Sequence, residues 1–158
     1  VYKRQDEYVI EPVVRPEQKT FKLVQFIKRN DAVDPLLFRA YLTGRYAQLL
    51  RTFPELCGLV VNFRTDLDVM TGFFAPDTEG FTASGTAKRE TFYSYWDVMI
   101  EYWFESPAGW IEGRNHPSTQ SSLADMEGEL MARSFYREVD ETVAVLPNRA
   151  PAPDFYFR

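Results

Sequence analysis

At 158 residues, 45% hydrophobic and 16% aromatic, the chain has the length of one globular domain and the apolar mass for a real core. A net charge of -5, with no basic stripe along any stretch, excludes nucleic acid as a partner, because backbone binding needs clustered Lys and Arg. No apolar run nears the ~20 residues of a membrane span. The single cysteine, Cys57, rules out an internal disulfide and fits a reducing, cytoplasmic setting.

Residues 1–5, VYKRQ, match the translation of a transposon adapter end used in sequencing libraries. They are expected to be foreign to the domain, as in a metagenomic gene fragment. Residues 1–19 as a whole read as an extended N-terminal arm, with Pro12, Pro16 and many charges. The domain proper is expected over 20–148. Residues 21–28 alternate as a strand packed partly on both faces. Asp34 then offers an N-cap, with Pro35 at the first helical position. Phe38, Tyr41, Leu42, Arg45, Tyr46, Leu49 and Leu50 follow at helical spacing, and Pro54 stops the helix near Phe53.

A second strand over 57–64 is β-rich through Leu59, Val60, Val61 and Phe63. Residues 66–90 turn polar and glycine-bearing, a long excursion of the kind that often serves as a lid or binding loop. The third strand, 96–104, is apolar on both parities. Ser106 and Pro107 open a helix that breaks around 113–117 and resumes as SSLADMEGELMARSF, with Leu123, Met126, Leu130 and Met131 in a stripe. Residues 138–146 alternate as a fourth strand, and 149–158 form a proline-stiffened tail. The order β-α-β, long loop, β-α-β predicts a ferredoxin-like α+β fold: a split βαβ with a four-stranded antiparallel sheet and both helices on one face. Because the third strand is apolar on both sides, the uncovered face is expected to pack on a second copy, giving a homodimer in the form of a dimeric α+β barrel.

Several stretches in this order resemble one family. They are KLVQFIKR, then Phe38-Arg39-Ala40-Tyr41, then Pro54 with Asn62, then Glu101-Tyr102-Trp103-Phe104-Glu105-Ser106, then Ala124-Asp125. Together they are similar to the EthD-like branch of the dimeric α+β barrels, over roughly residues 21–145 without the loop. The resemblance implies a pocket for a small hydrophobic or aromatic ligand between helices and sheet. It also implies cofactor-independent chemistry on a cyclic or aromatic carbonyl compound, of isomerase, cyclase, dehydratase or decarboxylase type. Where that family usually carries a histidine, eight residues after the helix phenylalanine, this chain has Tyr46.

Candidate site residues follow from residue type and placement. Tyr46 lies on the inward side of its helix, where its hydroxyl can donate to a substrate oxygen or bond within the core. Glu101, mid-strand among apolar neighbours, and Asp97 are the candidate bases, with pairing to Arg39, Arg45 or Lys28 as the structural alternative. Arg45 and Tyr41 on the helix, Asn62 at a strand end and Trp103 are the candidate substrate contacts, and Trp96, Trp103, Trp110 and the neighbouring tyrosines are expected either to line a pocket that stacks on a flat ring or to form plain core. His116, the only histidine, sits beside Pro117 in a polar kink, which disfavours haem. No His/Cys cluster has metal-ligand spacing, and no phosphate loop or nucleophile elbow is present, so neither metal nor cofactor is expected. A non-catalytic barrel that binds a hydrophobic metabolite and a cofactorless monooxygenase are the alternative functions.

Overall fold

The computed structural model describes residues 5–13, 19–65 and 82–141. Five strands are present: β1 Gln5–Glu11, β2 Phe21–Arg29, β3 Leu56–Arg64, β4 Val98–Phe104 and β5 Met131–Val139. Three helical stretches, Pro35–Tyr41, Leu42–Tyr46 and Ala47–Leu50, run on without a break and are together α1. The others are α2 Ala83–Tyr93, α3 Pro107–Asn115 and α4 Pro117–Leu130. The strands form a single sheet in the order β1-β3-β4-β2-β5, antiparallel throughout. Without β1, the remaining four strands and the order of their connections are those of the split βαβ unit.

Three of the helices start from the same local chemistry. Each has a proline at its first position, where the missing N–H costs nothing. Each is preceded by a side chain that accepts from the freed amides. Asp34 Oδ1 accepts from Leu36 and Leu37 at 2.9 and 3.0 Å, Ser106 Oγ from Ala108 at 3.2 Å, and His116 Nδ1 from Ser118 at 3.3 Å. His116 thus serves as the cap of α4.

The middle of α1 is a π turn, Leu42–Tyr46. Its buried residues, Phe38, Leu42, Tyr46 and Leu50, recur every four positions. In a helix of 3.6 residues per turn, such a stripe drifts by about 40° at each step. The wider turn takes up part of that drift and keeps Tyr46 facing the sheet.

Four sequence expectations are corrected. The sheet has five strands, not four, because part of the expected arm pairs with β3 from Gln5↔Arg64 to Glu11↔Leu59. Arg39 on α1 fastens this strand, with Nη1 2.8 Å from Asp6 and 3.1 Å from the Tyr8 hydroxyl. The last strand lies at 131–139, not 138–146. Met131 to Val139 have helix-compatible residues, but eight register pairs with β2 override that preference. The polar excursion ends in a helix, α2, from Ala83; its remainder, 66–81, and the tail at 149–158 lie outside the described residues.

The fourth correction concerns the face opposite the helices. On the inner face, Leu23, Ile27, Leu59, Val61, Val98, Ile100, Tyr102 and Phe104 meet Phe38, Leu42 and Leu50 of α1 and Leu123, Met126 and Leu130 of α4. The outer face was expected to be bare until a second copy covered it. Yet Val24 and Val60 are each only 7% exposed and Trp103 only 3% in the single chain. Close packing explains part of this. A Cβ on Gly58 would lie 2.9 Å from Val13 Cα and 3.2 Å from the Trp103 ring, so glycine is what lets both approach β3 this closely. The other end of this face is more open, with Phe26, Trp96, Met99 and Phe135 all half-buried.

Candidate functional site

The inner face holds a polar cluster inside the apolar core. Tyr46, wholly buried on α1, donates from its hydroxyl to Glu127 Oε1 on α4 at 2.8 Å. Arg114 on α3 grips the same carboxylate through two bonds, at 2.5 Å to Oε1 and 3.0 Å to Oε2. Beside them, Tyr102 on β4 donates to Gln25 Oε1 on β2, and Gln25 Nε2 donates to Ser134 Oγ on β5 at 2.8 Å. Tyr136 on β5 completes the group. It is the register partner of Gln25, and its buried hydroxyl lies close to Tyr46 and Ser134 without a hydrogen bond of ordinary geometry. Trp110 on α3 lies over them, with ring centroids 4.9 Å from Tyr136 and 5.3 Å from Tyr102.

The cluster grades from wholly buried to half-buried. Tyr46 and Tyr102 have no exposed surface, whereas Trp110, Arg114, Glu127 and Tyr136 are half-buried. Burial drives the electrostatics. It holds the Tyr46 phenol well above the usual tyrosine value, with neighbouring Tyr102, Tyr136 and Glu127 acting the same way. Tyr102 is likewise held well above it, first by burial. Burial and Glu127 push Tyr136 up to about 12, opposed by Arg114, Tyr46 and Ser134. The hydrogen bond to Glu127 raises the Arg114 guanidinium against the opposing effect of burial. At neutral pH all three phenols are therefore protonated donors, and none is a base.

Of the residues selected from sequence, Tyr46 belongs to this cluster and Trp110 packs on it, whereas the other catalytic and substrate-contact candidates lie elsewhere. Glu101 points to the outer face, where Lys22 Nζ lies 2.7 Å from its Oε2 and Asn62 Nδ2 donates to its Oε1 at 3.1 Å. Lys22 also contacts Glu141 at 3.0 Å and sits 4.3 Å from the centre of the Trp103 ring, whose Nε1 donates to Glu141. Asn62 and Trp103 are thus brought together with Glu101, but across the sheet from Tyr46. The Asn62 amide is oriented by the carboxylate, which leaves its buried Oδ1 without a partner.

Asp97 is separate again. Its carboxylate caps the end of β2 through Lys28 Nζ at 3.1 Å and the Arg29 amide at 2.9 Å, with Arg64 at 3.9 Å. Tyr41 and Arg45 are exposed on the outer side of α1, because the inward stripe runs through Phe38, Leu42 and Tyr46 instead.

Sequence reasoning missed Gln25, Tyr102, Arg114, Glu127 and Tyr136. Two of them carried a signal. Gln25 is polar on the otherwise apolar parity of Leu23 and Ile27, and Glu127 falls within the stripe of Leu123, Met126 and Leu130. A polar residue inside an apolar stripe marks a buried network. Arg114 and Tyr136 gave no such signal: Arg114 fell within the stretch expected to break the helix, and Tyr136 lay ahead of the strand expected at 138–146.

No family model matches the chain, and no curated protein matches it either. Solved structures do. A dimeric ferredoxin-like protein of unknown function from Thermobifida fusca aligns with 81% of this chain and 96% of its own, at 12% identity and a TM-score of 0.53. A protein of the ethyl tert-butyl ether D (EthD) family from Bacillus halodurans covers 78% of this chain and 99% of its own, at 15% identity and a TM-score of 0.50. A DABB family protein with a ferredoxin-like fold from Mesorhizobium loti covers 80% of this chain and 100% of its own, at 10% identity and a TM-score of 0.51. At such identities the likeness establishes the class by fold. The chain is a ferredoxin-like α+β domain, and its structural neighbours include EthD and DABB proteins.

No described helix is long and apolar enough to cross a membrane. Among the described residues, no group of three or more His, Cys, Asp or Glu could hold a metal.

Proposed function

We propose that the chain is a cofactor-independent enzyme that moves a proton on a cyclic or aromatic carbonyl compound bound between helices and sheet. The observation that carries this reading is the wholly buried Tyr46 hydroxyl, 2.8 Å from a Glu127 carboxylate that Arg114 holds by two bonds. A phenol so resistant to ionisation keeps its one proton, which turns from Glu127 to a substrate oxygen as charge develops there. The base beside it is Glu127, oriented by Arg114. Tyr46 also closes a π turn, a feature that recurs at functional sites. Glu101 and Asp97 face other surfaces, so their earlier role as bases passes to Glu127.

The homodimer is part of the same proposal. The Thermobifida fusca neighbour is described as dimeric. The half-buried aromatic end of the outer face, Phe26, Trp96 and Phe135, with centroid separations of 4.6 to 5.6 Å, is where a second sheet would sit.

A second reading, binding without turnover, draws on Arg114 itself. A carboxylate held by two bonds to a guanidinium is already engaged and leaves its partner only at a cost. Tyr46→Phe separates the two readings, using ligand that co-purifies with the protein and is identified by mass spectrometry. An enzyme with this variant should keep its fold and lose turnover by ~10²-fold or more. A binding protein should show no turnover in either form and only weakened retention of the ligand.

A further inference from the structure

We propose that the cluster is a one-electron oxidation site: Trp110 passes an oxidising equivalent inward, and Tyr46 holds it as a neutral tyrosyl radical once its proton has moved to Glu127. The inference needs no bound ligand and stands apart from the reading above. It starts from aromatic side chains that the proton chemistry leaves unused. Trp110 on α3 is half-buried, so part of its ring meets solvent, where a small oxidant can reach it. Its ring centre lies 4.9 Å from that of Tyr136 and 5.3 Å from that of Tyr102. Both of these phenols in turn lie close to the Tyr46 hydroxyl. An unbroken run of aromatic side chains therefore leads from the surface to the wholly buried Tyr46.

The fate of the proton chooses among the three phenols. Burial keeps all of them protonated at neutral pH. Loss of an electron makes a phenol strongly acidic, so the oxidising equivalent settles where a base can take the proton. The Tyr102 hydroxyl faces the amide oxygen of Gln25, which is no base, and Tyr136 has no hydrogen bond of ordinary geometry. Of the three, Tyr46 is the one that donates to a carboxylate, Glu127 Oε1 at 2.8 Å. The electrons and protons balance. A one-electron oxidant strong enough to oxidise an indole takes one electron from Trp110. The indole cation recovers that electron from Tyr46 by way of Tyr102 or Tyr136, and the O–H proton of Tyr46 crosses to Glu127. The oxidant ends reduced by one electron and Trp110 is restored. The positive charge left over rests on Arg114, which is partly in reach of water.

The test is photo-oxidation of the full chain by flash-generated ruthenium(III) tris(bipyridine), read by high-field electron paramagnetic resonance. The native chain should give a long-lived tyrosyl radical with one well-defined hydrogen-bonded geometry. Radicals on the exposed Tyr8, Tyr41 and Tyr95 should be scattered in geometry and removed first by ascorbate. Tyr46→Phe, which takes away only the hydroxyl, should melt as a folded chain and lose the long-lived signal, whereas Tyr102→Phe should keep it. Glu127→Gln retains an oxygen acceptor but no base, and should lose the signal as well. Trp110→Phe should lower the yield at the same dose of oxidant. A signal that persists in Tyr46→Phe or Glu127→Gln would overturn the inference, as would an undiminished yield without Trp110. A folded native chain that forms only short-lived radicals would overturn it too.

Discussion

The two faces of the sheet both bury polar atoms, and they satisfy them by different chemistry. On the inner face the atoms are mainly hydroxyls and amides joined in short hydrogen-bonded chains, with one ion pair at the rim. On the outer face the arrangement is ionic: the Lys22 ammonium bridges Glu101 and Glu141 over the Trp103 ring. A neutral network adapts to an incoming oxygen by rotating hydroxyls, whereas an ion pair gives up its partner only at high cost. The comparison explains why the site is assigned to the inner face, although more of the residues chosen from sequence lie on the outer one.

Removing Lys22 should have the largest effect on stability. Lys22→Met keeps the aliphatic stem over Trp103 but strips the ammonium from Glu101. A loss of about 3–5 kcal/mol is expected in chemical denaturation. The deficit should shrink when Glu101→Gln is added, since that removes the stranded charge; an unchanged deficit in the double variant would show that the outer cluster is not held ionically.

Glu127→Ala should cost less, about 2–4 kcal/mol, because Arg114 and Glu127 are partly in reach of water (29% and 20% side-chain exposure). Equal losses in the two variants would erase the difference drawn between the faces.

Alkaline titration tests the inner face alone. Tyr136 sits at about 12 in the folded chain against an ordinary 10.0, and Tyr46 and Tyr102 are raised as well. The unfolded chain therefore releases these protons first. Stability from the three phenols is complete below pH 10 and declines as pH rises above it. Tyrosinate absorbance from these residues should appear only together with unfolding; early titration in a folded chain would mean that the cluster is open to water.

The smallest stability effect should come from Met99→Asp at the open end of the outer face. It should leave melting nearly unchanged while reducing the mass seen by light scattering from twice 18.4 kDa to 18.4 kDa. A native chain that scatters as a monomer at micromolar concentration would remove the homodimer from the proposal.

Local sequence was sufficient wherever local physics decides. Asp34-Pro35 and Ser106-Pro107 marked helix starts because a cap and a fixed φ act within four residues. The β4 parity of Val98, Ile100 and Tyr102 against Met99, Glu101 and Trp103 was legible because strand side chains alternate. Tyr46 was placed inward for the same kind of reason.

What tertiary structure alone decided is which parity met which layer. Glu101 and Tyr46 both looked inward along their own elements, but the sheet lies between them, a relation that no spacing encodes. The β1 edge depended on pairing with β3, and the end of α4 at Leu130 depended on β5 finding β2. The Tyr46–Glu127–Arg114 cluster joins residues up to 81 positions apart from three helices. Such contacts are selected by the packing of the whole core, which is why the sequence determined the elements and one member of the site, and the fold supplied the others.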